Sequence, residues 1–241
     1  MTALRGKTYW LIGASEGLGR EIAKGLVGAG AHVIVSARSQ DRLQTLTWAL
    51  GGARPLVMDV TDDSSVEVAV KNLGPIDGVI YNAGAYVPMR SQDWDSAEAM
   101  AMMDVNYCGA LRVLGHVLPA FIAKGQGDIT LIGSLAGYHG LPAAVGYAAS
   151  KAALISLAET MRHDLRGSGV TLRIVNPGFI KTRLTDKNDF AMPQLMSSEV
   201  AADHVLRAIQ RQRFRTDFPR PFSWAIKILA LLPDWVVYRF K

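Results

Sequence analysis

Residues 8–19 read "TYWLIGASEGLG", and the order of residue types in this stretch decides the architecture. Thr8–Ile12 is a short uncharged run of β-branched, aromatic and aliphatic side chains, the pattern of a strand buried on both faces. Gly13 ends it, and Gly17 and Gly19 follow at G-x-x-x-G-x-G spacing. From Gly17 to Ala29, Leu18, Ile22, Leu26 and Ala29 fall on one helical face. A helix that begins on a tight glycine turn points free N–H groups and its positive dipole end at the turn, which suits a pyrophosphate. The spacing differs from the G-x-G-x-x-G fingerprint, although the physical task is similar. Taken alone, the glycines also fit a ligand-free turn; their place directly after a buried strand favours a dinucleotide. Gly13, Ser15, Glu16, Gly17, Leu18 and Gly19 are the expected contacts.

Outward from this unit, strands and helices alternate. His32–Ser36 reads as a second strand and Asp41–Leu50 as a helix. Arg54–Met58 is a third strand, followed by a helix capped at Thr61 or Asp62. Ile76–Tyr81 and Ile129–Ile132 are strands flanking a long helical region. A helix runs from about Gly146 to Arg166, and Val170–Val175 is a sixth strand. Strands separated by helices of this length imply parallel βαβ units. The expectation is an α/β, Rossmann-like doubly wound parallel sheet with three αβα layers, a single domain over residues 1–241.

Composition narrows the function classes. Of 241 residues, 49% are hydrophobic and 20% charged, as in a folded globular chain. The single cysteine, Cys108, excludes an intramolecular disulfide and a cysteine-based metal cluster; no metal site is expected, and a reducing, cytoplasmic setting suits the chain. The N-terminal residues show no apolar h-region with a cleavage site. Net charge is +5, but residues 205–241 hold eight Lys/Arg against two acids, so the first 204 residues sum to −1. Without basic clusters interleaved with aromatics in the main body, no nucleic-acid partner is expected.

The second strand runs into "SARSQD". Where a carboxylate would take the ribose hydroxyls of NAD stands Ala37, followed by Arg38. A guanidinium fork suits the 2′-phosphate of NADP, so NADP(H) is favoured over NAD(H). Further on, "GYAASK" (Gly146–Lys151) sets Tyr147 one helical turn before Lys151, on one face. By itself that spacing usually marks a surface pair.

These motifs occur in order with "YNAG" (Tyr81–Gly84), Asn106, Ser134 and "NPGFIKT" (Asn176–Thr182), and together they resemble the short-chain dehydrogenase/reductase family over roughly residues 7–185. The resemblance implies Tyr147 as general acid/base, with Lys151 lowering the pKa of the phenol and bonding the nicotinamide ribose. It implies Ser134 as the residue that positions the reacting oxygen. Asn106 would kink its helix and hold a water leading to Lys151. It also assigns Asp59 and Val60 to the adenine, with a helix cap as the alternative for Asp59. Asn82, Ala83 and Gly84 would line the cleft, and Pro177, Gly178, Ile180 and Thr182 the nicotinamide side. Two departures stand out. Ile12 replaces a common Thr, removing a bond that braces the turn, and Tyr81 replaces a common Asn and is expected to crowd the adenosine side. Tuned coenzyme affinity, not lost activity, is the expected result.

On the substrate side, Ser134–Leu141, Tyr86–Met89 and the loop 179–196 should border the pocket. That stretch, overlapping a substrate loop set at 183–198, offers Phe179, Ile180, Leu184, Phe190, Met192, Leu195 and Met196, and His139 is a further candidate. An apolar, methionine-bearing lid suits an apolar ketone, aldehyde or secondary alcohol. The tail, 218–241, is apolar and basic but too short to span a bilayer. Packing on its own domain or on a partner subunit is favoured over lying on a membrane surface. The resemblance implies a homodimer or homotetramer through the helices bearing Asn106 and Tyr147. An NADP(H)-dependent carbonyl reductase leads. A dinucleotide-binding regulator without turnover and a peripheral membrane enzyme acting on lipid-like carbonyls are the alternatives.

Overall fold

The computed structural model describes residues 4–188 and 190–239; Asp189 of the predicted loop and Phe240 and Lys241 of the tail lie outside them. Seven strands form one sheet: β1 (Thr8–Ile12), β2 (His32–Ser36), β3 (Ala53–Pro55), β4 (Gly78–Tyr81), β5 (Gly127–Ile132), β6 (Val170–Pro177) and β7 (Arg215–Phe218). Their order is β3-β2-β1-β4-β5-β6-β7, and every neighbouring pair is parallel. The order reverses between β1 and β4, where an open α/β sheet leaves its crevice at the carboxyl ends of the strands.

Alternation along each strand sorts side chains into two cores. In β1, Trp10 and Ile12 face one layer while Tyr9 and Leu11 face the other. The second layer is built from α1 (Gly17–Gly28), α2 (Gln40–Leu50) and α7 (Ser198–Arg211); the first from α3 (Asp63–Lys71), α5 (Gly109–Lys124) and α6 (Val145–Asp164). This is the three-layer, doubly wound fold expected. Helix α4 (Ser96–Met103) runs into α5 through a π-helical turn, Asp104–Cys108. The continuous stretch 96–124 is long and apolar enough to cross a membrane by length and composition. Its Ala110, Val113, Val117 and Phe121 are buried in the first core, however, and Arg112 pairs with Asp63 and Asp104.

Element boundaries differ where local chemistry intervenes. The β3 ladder ends at Pro55, which has no N–H to donate. Leu56 and Met58 still bond the carbonyls of Val35 and Ala37 at 2.9 and 3.1 Å, carrying the chain along the crevice rim. Asp62 caps α3 by accepting from the Ser64 N–H. Strand β7 was not expected: "RTDF" lacks an apolar run, because an edge strand here buries only Phe218. After it, α8 (Phe222–Leu229) and α9 (Asp234–Val237) fold the tail back onto the domain, with Ser223 and Ile226 buried.

Candidate active site

A cavity of about 860 Å³ opens over the carboxyl ends of β1, β4, β5 and β6, a volume typical of a small-molecule site. Every predicted coenzyme residue except Gly19 borders it. Gly19 acts beneath the surface: a Cβ there would overlap the Gly13 carbonyl oxygen, so glycine permits the close helix–strand packing. Gly13 has φ +81° and would meet the Ala83 backbone at 2.6 Å with any side chain. Its carbonyl accepts a 2.7 Å hydrogen bond from Asn82 Nδ2, so the turn has a brace without a hydroxyl at position 12. Among the described residues no side chain caps the first turn of α1, whose Gly17 and Leu18 border the cavity. Tyr81 corrects an expectation. Strand alternation aims it into the first core, its hydroxyl donates to the Val105 carbonyl in the π-helical turn, and it does not border the cavity.

At the far end of the glycine turn, Arg38 is exposed on the rim beside Ala37 and pairs with no carboxylate among the described residues. Arg42 and Arg183, not expected from the sequence, border the same end. Both reach the Glu16 carboxylate, at 3.1 and 3.2 Å. A cation in the first turn of a helix opposes the dipole, and that was the available signal for Arg42. These groups fit a phosphorylated dinucleotide: uncapped N–H groups for a pyrophosphate, and guanidinium forks where an extra phosphate would lie. Asp59 borders the cavity with Val60, while its Oδ1 accepts from Thr61 N and Oγ1 at 2.9 and 2.7 Å. It therefore forms a local turn as well as part of the wall.

Helix α6 carries Tyr147 and Lys151 into the cavity one turn apart. Lys151 is buried, its Nζ donates to the Ile132 carbonyl at 2.9 Å, and the ammonium lies 5.8 Å from the Tyr147 ring centre. Burial pushes this ammonium down to about 8. The Tyr147 phenol moves the other way: burial raises it, a hydrogen bond with Ser134 pulls it back, and nearby Tyr86 raises it again. Burial, not Lys151, sets the direction in this arrangement, so the phenol is raised where the resemblance implied that Lys151 would lower it. Tyr86 stands edge-on to Tyr147 at 5.0 Å. Ser134 also caps the turn that follows it, accepting from Ala136 N at 3.1 Å. Asn106 lies in the π-helical turn, as a kinking residue should. Its amide accepts from Ala85 N and donates to Ala85 O and Ser150 Oγ at 2.7, 3.0 and 2.8 Å. It clamps the loop after β4 to α6, and it does not border the cavity.

The remaining wall is apolar. Tyr86, Leu141, Phe179, Ile180, Leu184 and Phe190 border it; Met192, Leu195, Met196, His139 and Val87–Met89 do not. Met196 instead bonds the Phe179 carbonyl through its N–H, Leu195 is exposed, and His139 lies against Tyr238. The lid therefore presents aromatic rings rather than methionines. Phe222 and Ile226, on α8, complete the wall, with Phe222 stacked on Phe179 at 5.7 Å. The tail was expected to pack on the domain or a partner subunit, not to line the pocket; an aromatic directly after Pro219-Arg220-Pro221 was the only hint.

A family model described as short chain dehydrogenase matches residues 7–192. An oxidoreductase of Myxococcus xanthus is 32% identical over 97% of this chain and 96% of its own. The ketoacyl reductase HetN of a Nostoc species is 34% identical over 88% and 78%. A short chain dehydrogenase from Burkholderia cenocepacia, solved in complex with NADP, superposes with a TM-score of 0.87 at 25% identity, covering 98% of this chain and 97% of that one. With the glycine turn, the Tyr147–Lys151 helix and the sheet order already in place, these matches show that the chain belongs to the short-chain dehydrogenase family.

Proposed function

We propose that this oxidoreductase is NADP(H)-dependent and interconverts an apolar ketone or aldehyde with the corresponding alcohol, using Tyr147 as general acid/base. One observation carries the reading: a half-buried phenol and a buried ammonium share one helical turn where the glycine-rich and aromatic halves of a single cavity meet. When bound, the nicotinamide supplies or accepts the hydride. The chain's own residues handle the oxygen. Tyr147, protonated at neutral pH, donates its proton to a carbonyl oxygen that the Ser134 hydroxyl holds in place. Lys151, with its pKa near 8, carries a proton that can be replaced from solvent within the working pH range. Arg38 and Arg42 would hold a 2′-phosphate, consistent with the NADP in the Burkholderia structure.

Within this class, 3-oxoacyl thioesters are the preferred candidates. The Nostoc relative is named a ketoacyl reductase, and the Phe179, Phe190 and Phe222 wall suits an acyl chain. Assembly through the helices bearing Asn106 and Tyr147 is part of the proposal, supported by exposed Met100 and Leu111 on α4 and α5. The test is spectrophotometric oxidation of NADPH and NADH against 3-oxoacyl thioesters of graded chain length and simple ketones, beside Tyr147→Phe. Turnover should prefer NADPH and rise with apolar chain length, and the Phe variant should lose about a hundredfold or more. Undiminished turnover by that variant overturns the assignment of the acid; activity restricted to small charged carbonyls overturns the substrate class.

A further inference from the structure

We propose that the C-terminal face docks on an anionic lipid surface. Helix α8 has two sides. Phe222 and Ile226 point inward and border the cavity, while Trp224 and Ile228 point outward and are exposed. Beyond it Leu231, Trp235 and Tyr238 continue the exposed apolar face, Leu231 at 84% and Trp235 at 69% exposure. Singly exposed apolar residues need no explanation; a run of them on two consecutive short helices does.

Charge identifies the occupant. Beside Trp224 lies a second hollow, about 250 Å³, lined by Arg213, Arg215, Arg220 and Lys227. Its one acid, Asp217, is paired with Lys227, and Arg215 is paired with Glu159. Arg213 and Arg220 have no carboxylate partner among the described residues, and the Arg215 Nε is buried with no hydrogen-bond partner. Arg220 lies over the Trp224 ring at 5.3 Å, so a cation and an apolar ring share one patch. A second copy of this chain, related by a two-fold axis, would set these arginines against their own images. A bilayer interface instead accepts both features at once: indole and aliphatic groups enter the headgroup–acyl boundary, and arginines meet lipid phosphates. The helices, eight and four residues long, lie along such a surface and do not cross it. This inference is independent of the reaction proposed above. Joined to it, the inference places the cavity wall and the bilayer on opposite faces of one helix.

Sedimentation of the full-length protein with phosphatidylcholine vesicles, with and without phosphatidylglycerol and at low and high salt, tests the proposal. Binding should require the anionic lipid and fall with salt. Arg213→Gln with Arg220→Gln should weaken it about thirtyfold, which corresponds to about 1 kcal/mol for each cation near the surface. Trp224→Ser with Leu231→Ser and Trp235→Ser should abolish it, while the dichroism spectrum and thermal transition show that both variants fold. Absence of binding, or equal binding to neutral vesicles, overturns the proposal. So does a thermal shift with inorganic phosphate but no vesicle binding, which would mark a soluble anion site. Loss of a dimer in the apolar variant, seen by light scattering without vesicle binding, would assign the face to a second copy.

Discussion

Lys151→Met separates what this lysine does for chemistry from what it costs the fold. The ammonium is buried, and its pKa falls from 10.5 to about 8 for that reason alone. At about 1.4 kcal/mol for each tenfold change in acidity, the difference corresponds to about 3 kcal/mol. The hydrogen bond to Ile132, lost in the variant, returns about 1 kcal/mol. Methionine fills a similar volume and needs no partner, so the variant should be more stable than the parent by about 2 kcal/mol near neutral pH, or about 4–8 °C for a chain of this size. The pH dependence fixes the cause. Below pH 8 the lysine is charged in both states and the burial penalty is complete. Between about 8 and 10.5 the unfolded chain binds one proton more than the native one, so the parent gains stability as pH rises. The gap between the two proteins should therefore close across that window. Urea denaturation from pH 6.5 to 10.5 measures it, with turnover recorded on the same samples. A variant that is inactive and no more stable at pH 7, or a gap that does not change with pH, refutes the burial argument.

The coenzyme end gives two further tests. Arg38→Ala should weaken NADPH about ten- to a hundredfold by removing a charge-assisted contact while leaving NADH unchanged in isothermal titration; equal losses would show that this arginine does not meet the phosphate. Glu16→Gln removes the carboxylate that holds Arg42 and Arg183, and NADPH should bind about two- to fivefold more tightly, the worth of half-exposed ion pairs. Weaker binding would show that the carboxylate organises the site. The pH profile of reduction should fall as Lys151 loses its proton around pH 8, while the phenol, raised by burial, stays protonated. A plateau extending well above pH 9 in log kcat/KM would separate Lys151 from proton supply.

How much of this was legible in the sequence depended on how local the chemistry was. Strands β1, β2 and β4 bury both faces, so their apolar runs announced them. Strand β7 lies at an edge, buries only Phe218, and is otherwise held by pairing with β6 and by polar contacts to distant residues, so nothing in "RTDF" announced it. Tyr147, Ser134 and the glycine turn were singled out because the task proposed for them fixes residue type and spacing, and they border one cavity. The direction in which Tyr81 points was not, since strand alternation and the Val105 carbonyl decide it. Arg42 and Arg183 escaped because each is defined by Glu16, a partner far along the chain. The upward shift at Tyr147 was not legible for a related reason: proximity of a cation is visible in an i, i+4 spacing, whereas burial is not.

The tail belongs to the site for an electrostatic reason. Asp217 on β7 is nearly enclosed, and a buried carboxylate requires donors. Its Oδ1 accepts from Tyr138 Oη at 2.7 Å and from Asn176 Nδ2 at 2.8 Å, and Lys227 on α8 neutralises it. Tyr138 lies in the turn that follows Ser134, Asn176 precedes the Pro177–Gly178 turn, and Lys227 shares its helix with Phe222 and Ile226. One carboxylate therefore fastens three walls of the cavity: the one that bears Ser134, the one formed by the Pro177–Gly178 turn, and the apolar one. Without the tail, Asp217 would lose Lys227, the cation that neutralises it beside Tyr138 and Asn176, and Phe179 would lose its stacking partner. The residues that complete the pocket thus lie beyond the matched span 7–192, and they hold their places because the charge of Asp217 is buried.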